Sequence, residues 1–137
     1  MILLDTNVLL RLYAGYEADL APTATRRIDQ ANARGQVAMS PLSFFEIGVL
    51  NQKKRLPREI DVAHLWLSAS THGIKEAPLA VRAGIRAASL HGEGFPTSDP
   101  VDRLLVATAL SEGCELATID RAILAWNGPL QTLDARP

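Results

Sequence analysis

Short apolar runs alternate along this chain with longer stretches in which apolar positions return every three or four residues. The four apolar residues 1–4 read as a buried strand that runs straight into Asp5, with Thr6 and Asn7 beside it. A helix-like apolar run then begins at Val8. Further strand-like runs cover 36–39, 74–77, 114–118 and 130–133, one or two residues after Gly35, Gly73, Gly113 and Gly128 respectively. A glycine just past a helix end, followed by a strand, is the expected junction between these elements. Helical patterns fill 22–34, 41–51, 58–70, 79–90 and 100–112. Strands separated by helix-length segments need crossover connections, and hence a mainly parallel sheet. The expectation is a single α/β domain over 1–137, a three-layer α/β/α sandwich with 130–133 as an edge strand.

In such sheets, ligands bind beyond the carboxyl ends of the strands. The residues that follow the strands are therefore informative: Asp5 after the first, Ser40 after the second and Asp120 after the CELATI run. Each acid has an ordinary explanation. Asp5 and Asp120 can cap the helical segments that follow them. Asp99 is a natural N-cap before Pro100, and Asp102 completes an acidic first turn. Glu46 could sit at a helix edge or pair with an arginine. Two of these explanations fall short. Glu46 shares its helix face with Leu42, Val49 and Leu50, and Asp102 shares its face with Leu105, Val106 and Ala109, so both carboxylates should point inward. A carboxylate buried without a partner is costly, and several at one rim repel one another. Clustered carboxylates with no histidine or cysteine make a hard-oxygen site that suits Mg²⁺ or Mn²⁺.

Composition narrows the partners. With 137 residues, 47% hydrophobic and 21% charged, the chain is an ordinary globular domain able to bury a core. A net charge of −1 argues against a protein that coats nucleic acid, so nucleic-acid chemistry has to rely on a local site. The single cysteine, Cys114, rules out an internal disulfide and a cysteine-based zinc site, and suits a reducing compartment. No signal-peptide pattern is seen and no apolar run approaches the roughly 20 residues that span a bilayer, so a cytoplasmic location is expected. His64, His72 and His91 are scattered and read as surface or helix-end residues. Trp66 reads as core rather than as part of a dimer face, and the basic run NQKKRLPRE reads as a solvated turn.

The stretches LLDTNVLL, SPLSFFEIGVL, DPVDRLLVATAL and LATIDRAI resemble the four acidic motifs of the PIN-domain nucleases, and more closely those of the VapC-like toxins of bacterial toxin–antitoxin pairs. The resemblance covers the whole chain in length and motif order. It implies that Asp5, Glu46, Asp102 and Asp120 form a catalytic, metal-holding quartet with Asp99 as an auxiliary acid. Thr6 and Thr118 match the hydroxyl positions beside the quartet. Where many relatives carry a basic residue before the DP pair and an aromatic after it, this chain has Ser98 and Val101. The implied activity is Mg²⁺- or Mn²⁺-dependent hydrolysis of RNA by a homodimer, silenced by a cognate antitoxin protein. Arg103 and Arg121 directly follow acids, so each is either a phosphate contact or a solvated surface charge. Two rivals stay open: a phosphatase-type phosphotransferase with Asp5 as nucleophile, and a non-catalytic PIN-like binding module. The first lacks its second acid, because position 7 is Asn7.

Overall fold

Successive side chains of a strand face opposite sides of a sheet, so a strand covered by helices on both faces must be apolar throughout. The short strands of this chain meet that condition. In the computed structural model, which describes residues 1–15 and 19–137, Ile2–Leu4 (β1) and Val37–Met39 (β2) are buried at every position. Leu3, Ala38 and Leu116 face one helical layer, while Ile2, Leu4, Val37, Met39 and Ala117 face the other.

The elements follow in the order β1, α1 (Thr6–Tyr13), α2 (Pro22–Ala33), β2, α3 (Pro41–Gln52), α4 (Val62–Thr71), β3 (Lys75–Glu76), α5 (Val81–Leu90), α6 (Pro100–Glu112), β4 (Glu115–Thr118), α7 (Arg121–Ala125) and β5 (Thr132–Asp134). The five strands lie in the order β3-β2-β1-β4-β5, and every pairing is parallel. Helices α5 and α6 cover one face through Ala83, Ala87, Leu90, Leu105, Val106 and Ala109. The other face packs against Val8 and Leu9 of α1, Ala24 and Ile28 of α2, Ile47 of α3, and Leu65 and Ala69 of α4. This is the expected three-layer α/β/α sandwich. From β1 the chain moves outward on one side to β2 and β3, and later returns to the other side of β1 as β4. The carboxyl ends of β1 and β4 therefore flank the point where the strand order reverses, the usual place for a ligand in such sheets. No helix among the described residues is long and apolar enough to cross a membrane.

Several boundaries differ from expectation, for local reasons. Helix α4 begins at Val62 rather than at 58, because the Asn51 side chain holds Ile60 outside the helix by donating to its carbonyl at 2.7 Å and accepting from its N–H at 3.0 Å. Asp61 then caps the helix by accepting from the His64 N–H. The third strand shrinks to two residues, α5 begins at Val81, and the edge strand is shifted to Thr132–Asp134. Trp66 is 43% exposed and not core: Leu65 and Ala69 form the buried stripe of α4, and Trp66 lies one position round the helix from it.

Two glycines give opposite tests of this packing. Gly113 ends α6 in a left-handed conformation, φ 67°, with its N–H on the carbonyls of Ala109 and Leu110. An alanine there should cost about 1 kcal/mol. Gly84 lies on the exposed side of α5, and a methyl group added to it would meet no atom within 4 Å. Its replacement by alanine should gain about 1 kcal/mol of helix propensity. Urea unfolding of Gly113→Ala and Gly84→Ala checks the pair, and shifts of the same sign would contradict the assignment.

Candidate active site

Asp5 is the first residue beyond β1, and its backbone N–H still bonds to the Ala117 carbonyl of β4 at 3.0 Å. Its side chain caps α1, with Oδ1 accepting from the Thr6 N–H at 2.7 Å. Oδ2 accepts from the Thr118 hydroxyl at 2.6 Å, and the same hydroxyl oxygen accepts from the Asp120 N–H at 3.0 Å. Thr118 thus ties the acid that ends β1 to the acid that follows β4. The Thr6 hydroxyl donates to the hydroxyl of Ser43 on α3 at 3.0 Å, which links the first turn of α1 to the helix that carries Glu46.

Helices α3 and α6 pack together and bring three further carboxylates to this end of the sheet. One carboxylate oxygen each from Glu46, Asp99 and Asp102 lies within 4.8 Å of the others. Asp99 is the N-cap of α6, with Oδ1 accepting from the N–H groups of Val101 at 2.8 Å and Asp102 at 3.3 Å. Asp120 caps α7 in the same way, its Oδ1 accepting from Ala122 and Ile123. The capping roles expected for these acids are therefore real. They leave the second oxygen of each free of those N–H groups, since a carboxylate has two oxygens and about four lone-pair sites. Among the described residues, no Lys or Arg forms a salt bridge with Asp5, Glu46, Asp99, Asp102 or Asp120.

The electrostatics follow from burial and crowding. Burial lifts the Asp5 carboxyl from its ordinary 3.8 to about 6, even though the Thr118 hydroxyl and Thr6 N–H pull it down, and Glu46 and Asp120 add to the rise. Asp102 rises to about 7, first through desolvation and then through the charges of Asp99, Asp5, Glu46 and Asp120. That coupling sets Asp5, Glu46, Asp99, Asp102 and Asp120 within electrostatic reach of one another. The arrangement concentrates negative charge that forms no salt bridge to a Lys or Arg among the described residues, and its donor set is hard oxygen throughout, which fits Mg²⁺ or Mn²⁺.

Both arginines expected as possible phosphate contacts are accounted for. Arg103 donates to the Ala87 carbonyl at 3.0 Å, on the side of α6 along which α5 packs. Arg121, at the start of α7, is exposed. Ser43 is the contributor that the sequence did not single out. It is fully buried, and its one visible signal was being the only polar neighbour on the Glu46 face.

The raised pKa values have a definite sign in stability. An acid with a folded pKa above 3.8 holds its proton more tightly when folded, so Asp5 and Asp102 contribute most to the stability of the metal-free protein at low pH. That stability is lost as pH climbs from about 4 through 6 and 7, and levels off above. Asp102→Asn removes the charge, and the Asp102 carboxylate accepts no hydrogen bond from the described residues that the change would break. In EDTA at pH 7.5 the variant should melt a few degrees higher than wild type, by roughly 1 kcal/mol, with a flatter fall in melting temperature between pH 4 and 7. An unchanged or lower melting temperature would contradict the crowding.

A PIN domain matches residues 2–125 of the chain. The chain is 28% identical to Ribonuclease VapC22 of Mycobacterium tuberculosis over 128 residues, 93% of each protein. It superposes on VapBC2 from Rickettsia felis, solved bound to a promoter DNA fragment, with a TM-score of 0.65 at 13% identity, over 98% of this chain and 99% of that one. For a toxin–antitoxin complex from Klebsiella pneumoniae the TM-score is 0.61 at 21% identity, over 97% and 96%. The structural likenesses carry the fold, and the domain match carries the membership: this chain belongs to the PIN-domain family.

Proposed function

We propose that this chain is a cytoplasmic, divalent-metal-dependent endoribonuclease, the toxin of a toxin–antitoxin pair. The observation that carries this reading is the convergence of Glu46, Asp99 and Asp102 beside the buried Asp5, with no salt bridge to them among the described residues. The likeness to a ribonuclease of Mycobacterium tuberculosis supports the choice of RNA. The likeness to toxin–antitoxin complexes supports an antitoxin partner.

Glu46, Asp99 and Asp102 would hold a Mg²⁺ or Mn²⁺ ion, with Asp5 and Asp120 flanking them. When bound, such an ion supplies Lewis-acid polarisation of the phosphodiester and lowers the pKa of the attacking water. The residues do the rest by orientation. Asp102 offers two oxygens free of hydrogen bonds from the described residues, while Asp99 and Asp120 each commit one oxygen to a helix cap. Thr118 and Thr6 fix the carboxylate plane of Asp5 from both sides. In-line attack by water at phosphorus breaks the bond to the 3′ oxygen and leaves a 5′-phosphate and a 3′-hydroxyl. The phosphotransferase alternative fits less well, because a nucleophilic Asp5 would have to attack from a position 6% exposed with both oxygens already accepting hydrogen bonds.

Apolar side chains stand exposed where protein partners could cover them: Phe45 next to Glu46, and Val81 and Ile85 on successive turns of α5. They suit the antitoxin and the homodimer of this proposal.

Purified protein should cleave single-stranded RNA with Mg²⁺ or Mn²⁺ and stop in excess EDTA. Asp5→Asn and Asp102→Asn should each lower the rate by at least about a hundredfold while circular dichroism stays native. Even the partners of metal ligands are worth roughly 10- to 100-fold. Cleavage that persists in EDTA would overturn the metal mechanism, and no cleavage under any metal would favour the binding module.

Asp99→Ser separates capping from ligation, since serine keeps the cap of α6. Its melting temperature in EDTA should be no lower than wild type, because the cap is kept and one crowding charge is lost, while its Mn²⁺-induced rise in melting temperature should shrink. A full Mn²⁺ shift in this variant would reduce Asp99 to a cap.

A further inference from the structure

An open cavity of about 450 Å³ lies along α7, the helix that Asp120 caps, lined by Glu93, Gly94, Pro96, Ala122, Trp126 and Asn127 among others. Two of its lining residues connect it to the acids. Ala122 donates its N–H to Asp120, and Pro96 stands three residues before Asp99. Five-residue α7 separates Asp120 from Trp126, a distance of about 9 Å along the helix.

Trp126 is held rather than loosely exposed. Phe95 meets it edge-on at 5.1 Å and 89°, and its indole N–H donates to the Glu93 carbonyl at 3.2 Å. Gly128 lies directly against it: a Cβ there would stand 2.1 Å from Cζ2 of the ring. The indole is only half-buried, and it forms one wall of the cavity. The carboxylate of Glu93 at the rim is already paired, to the Arg86 guanidinium and the Ser89 hydroxyl, which hold it below the usual carboxylate range. Arg121 is exposed at the first position of α7, and among the described residues it makes no salt bridge.

We propose that this cavity receives an unpaired nucleobase of the strand being cut, stacked on the Trp126 indole, and that it selects the nucleotide next to the scissile phosphate. The proposal rests on the nuclease reading above and deepens it. A nucleobase fits the chemistry better than an anionic group would, because Glu93 lines the space and Asp120 caps the helix that forms its wall. Every base offers a π-face to an aromatic wall, and unpaired RNA bases commonly splay out to stack on such residues. The Asn127 side chain supplies both a donor and an acceptor for a base edge. Arg121 would meet the backbone phosphate of that nucleotide.

The chain has two tryptophans, so Trp66→Phe, at an exposed position, leaves Trp126 as the only indole reporter. In EDTA, a mixed-sequence single-stranded heptaribonucleotide should quench its emission saturably. Making one nucleotide abasic at the right position should abolish the quench and weaken binding, read by anisotropy, on the order of tenfold. With metal, Trp126→Leu should raise KM on the order of tenfold with kcat changed less than about twofold, and Trp126→Phe should restore most of the loss. Binding without any change in Trp126 emission, and with no abasic position that matters, would overturn the base pocket while leaving the nuclease intact. An oligonucleotide that neither binds nor is cleaved would overturn both. The quenching measurement needs no Trp126 variant, so the test stands even if Trp126→Leu fails to fold.

Discussion

The Thr118 hydroxyl, donating to Asp5 at 2.6 Å and accepting from the Asp120 N–H at 3.0 Å, is the contact on which the site depends. It sits between the carboxyl ends of β1 and β4, where the strand order reverses. One buried hydroxyl there satisfies a buried carboxylate and sets where the chain turns into α7. Without it, Asp5 would lose the largest of the hydrogen bonds that oppose its desolvation. A buried polar group left unpartnered costs roughly 1–3 kcal/mol, so this position is decided by hydrogen bonding rather than by apolar packing.

The rest of the site is a compromise between folding and charge. Five carboxylates come to one end of the sheet, and the raised pKa values of Asp5 and Asp102 record what burial, and after it crowding, costs. The cost is contained locally: Asp5, Asp99 and Asp120 cap the helices that follow them, and so stabilise the elements that hold them in position. Asp102 and Glu46 cap nothing and accept no hydrogen bond from the described residues, and both are partly buried on their helices. They are the acids whose presence folding alone explains least.

Much of this was legible in the chain. The switches between strand-like runs and helical periodicity were enough to order the elements, because parallel strands covered on both faces must be apolar throughout. The cap signal at Asp99–Pro100 fell where α6 begins. Glu46 and Asp102 were legible as acids on apolar faces. Contacts between elements distant in sequence were not. The Thr6–Ser43 hydroxyl pair depends on how α1 meets α3, the turn of Arg103 toward Ala87 depends on α5, and the late start of α4 depends on Asn51 reaching Ile60. The Trp126 cavity is of the same kind, since it forms only where the segment around Phe95 meets the end of α7.

The central claim is that these acids are brought together to hold a divalent cation. Anomalous diffraction from crystals grown with Mn²⁺ tests it most directly. The expected result is the strongest Mn²⁺ peak at bonding distance from carboxylate oxygens of Glu46 and Asp102, with the Thr118–Asp5 hydrogen bond unchanged. A strongest peak elsewhere on the molecule, with Glu46, Asp99 and Asp102 still gathered around water alone, would contradict it.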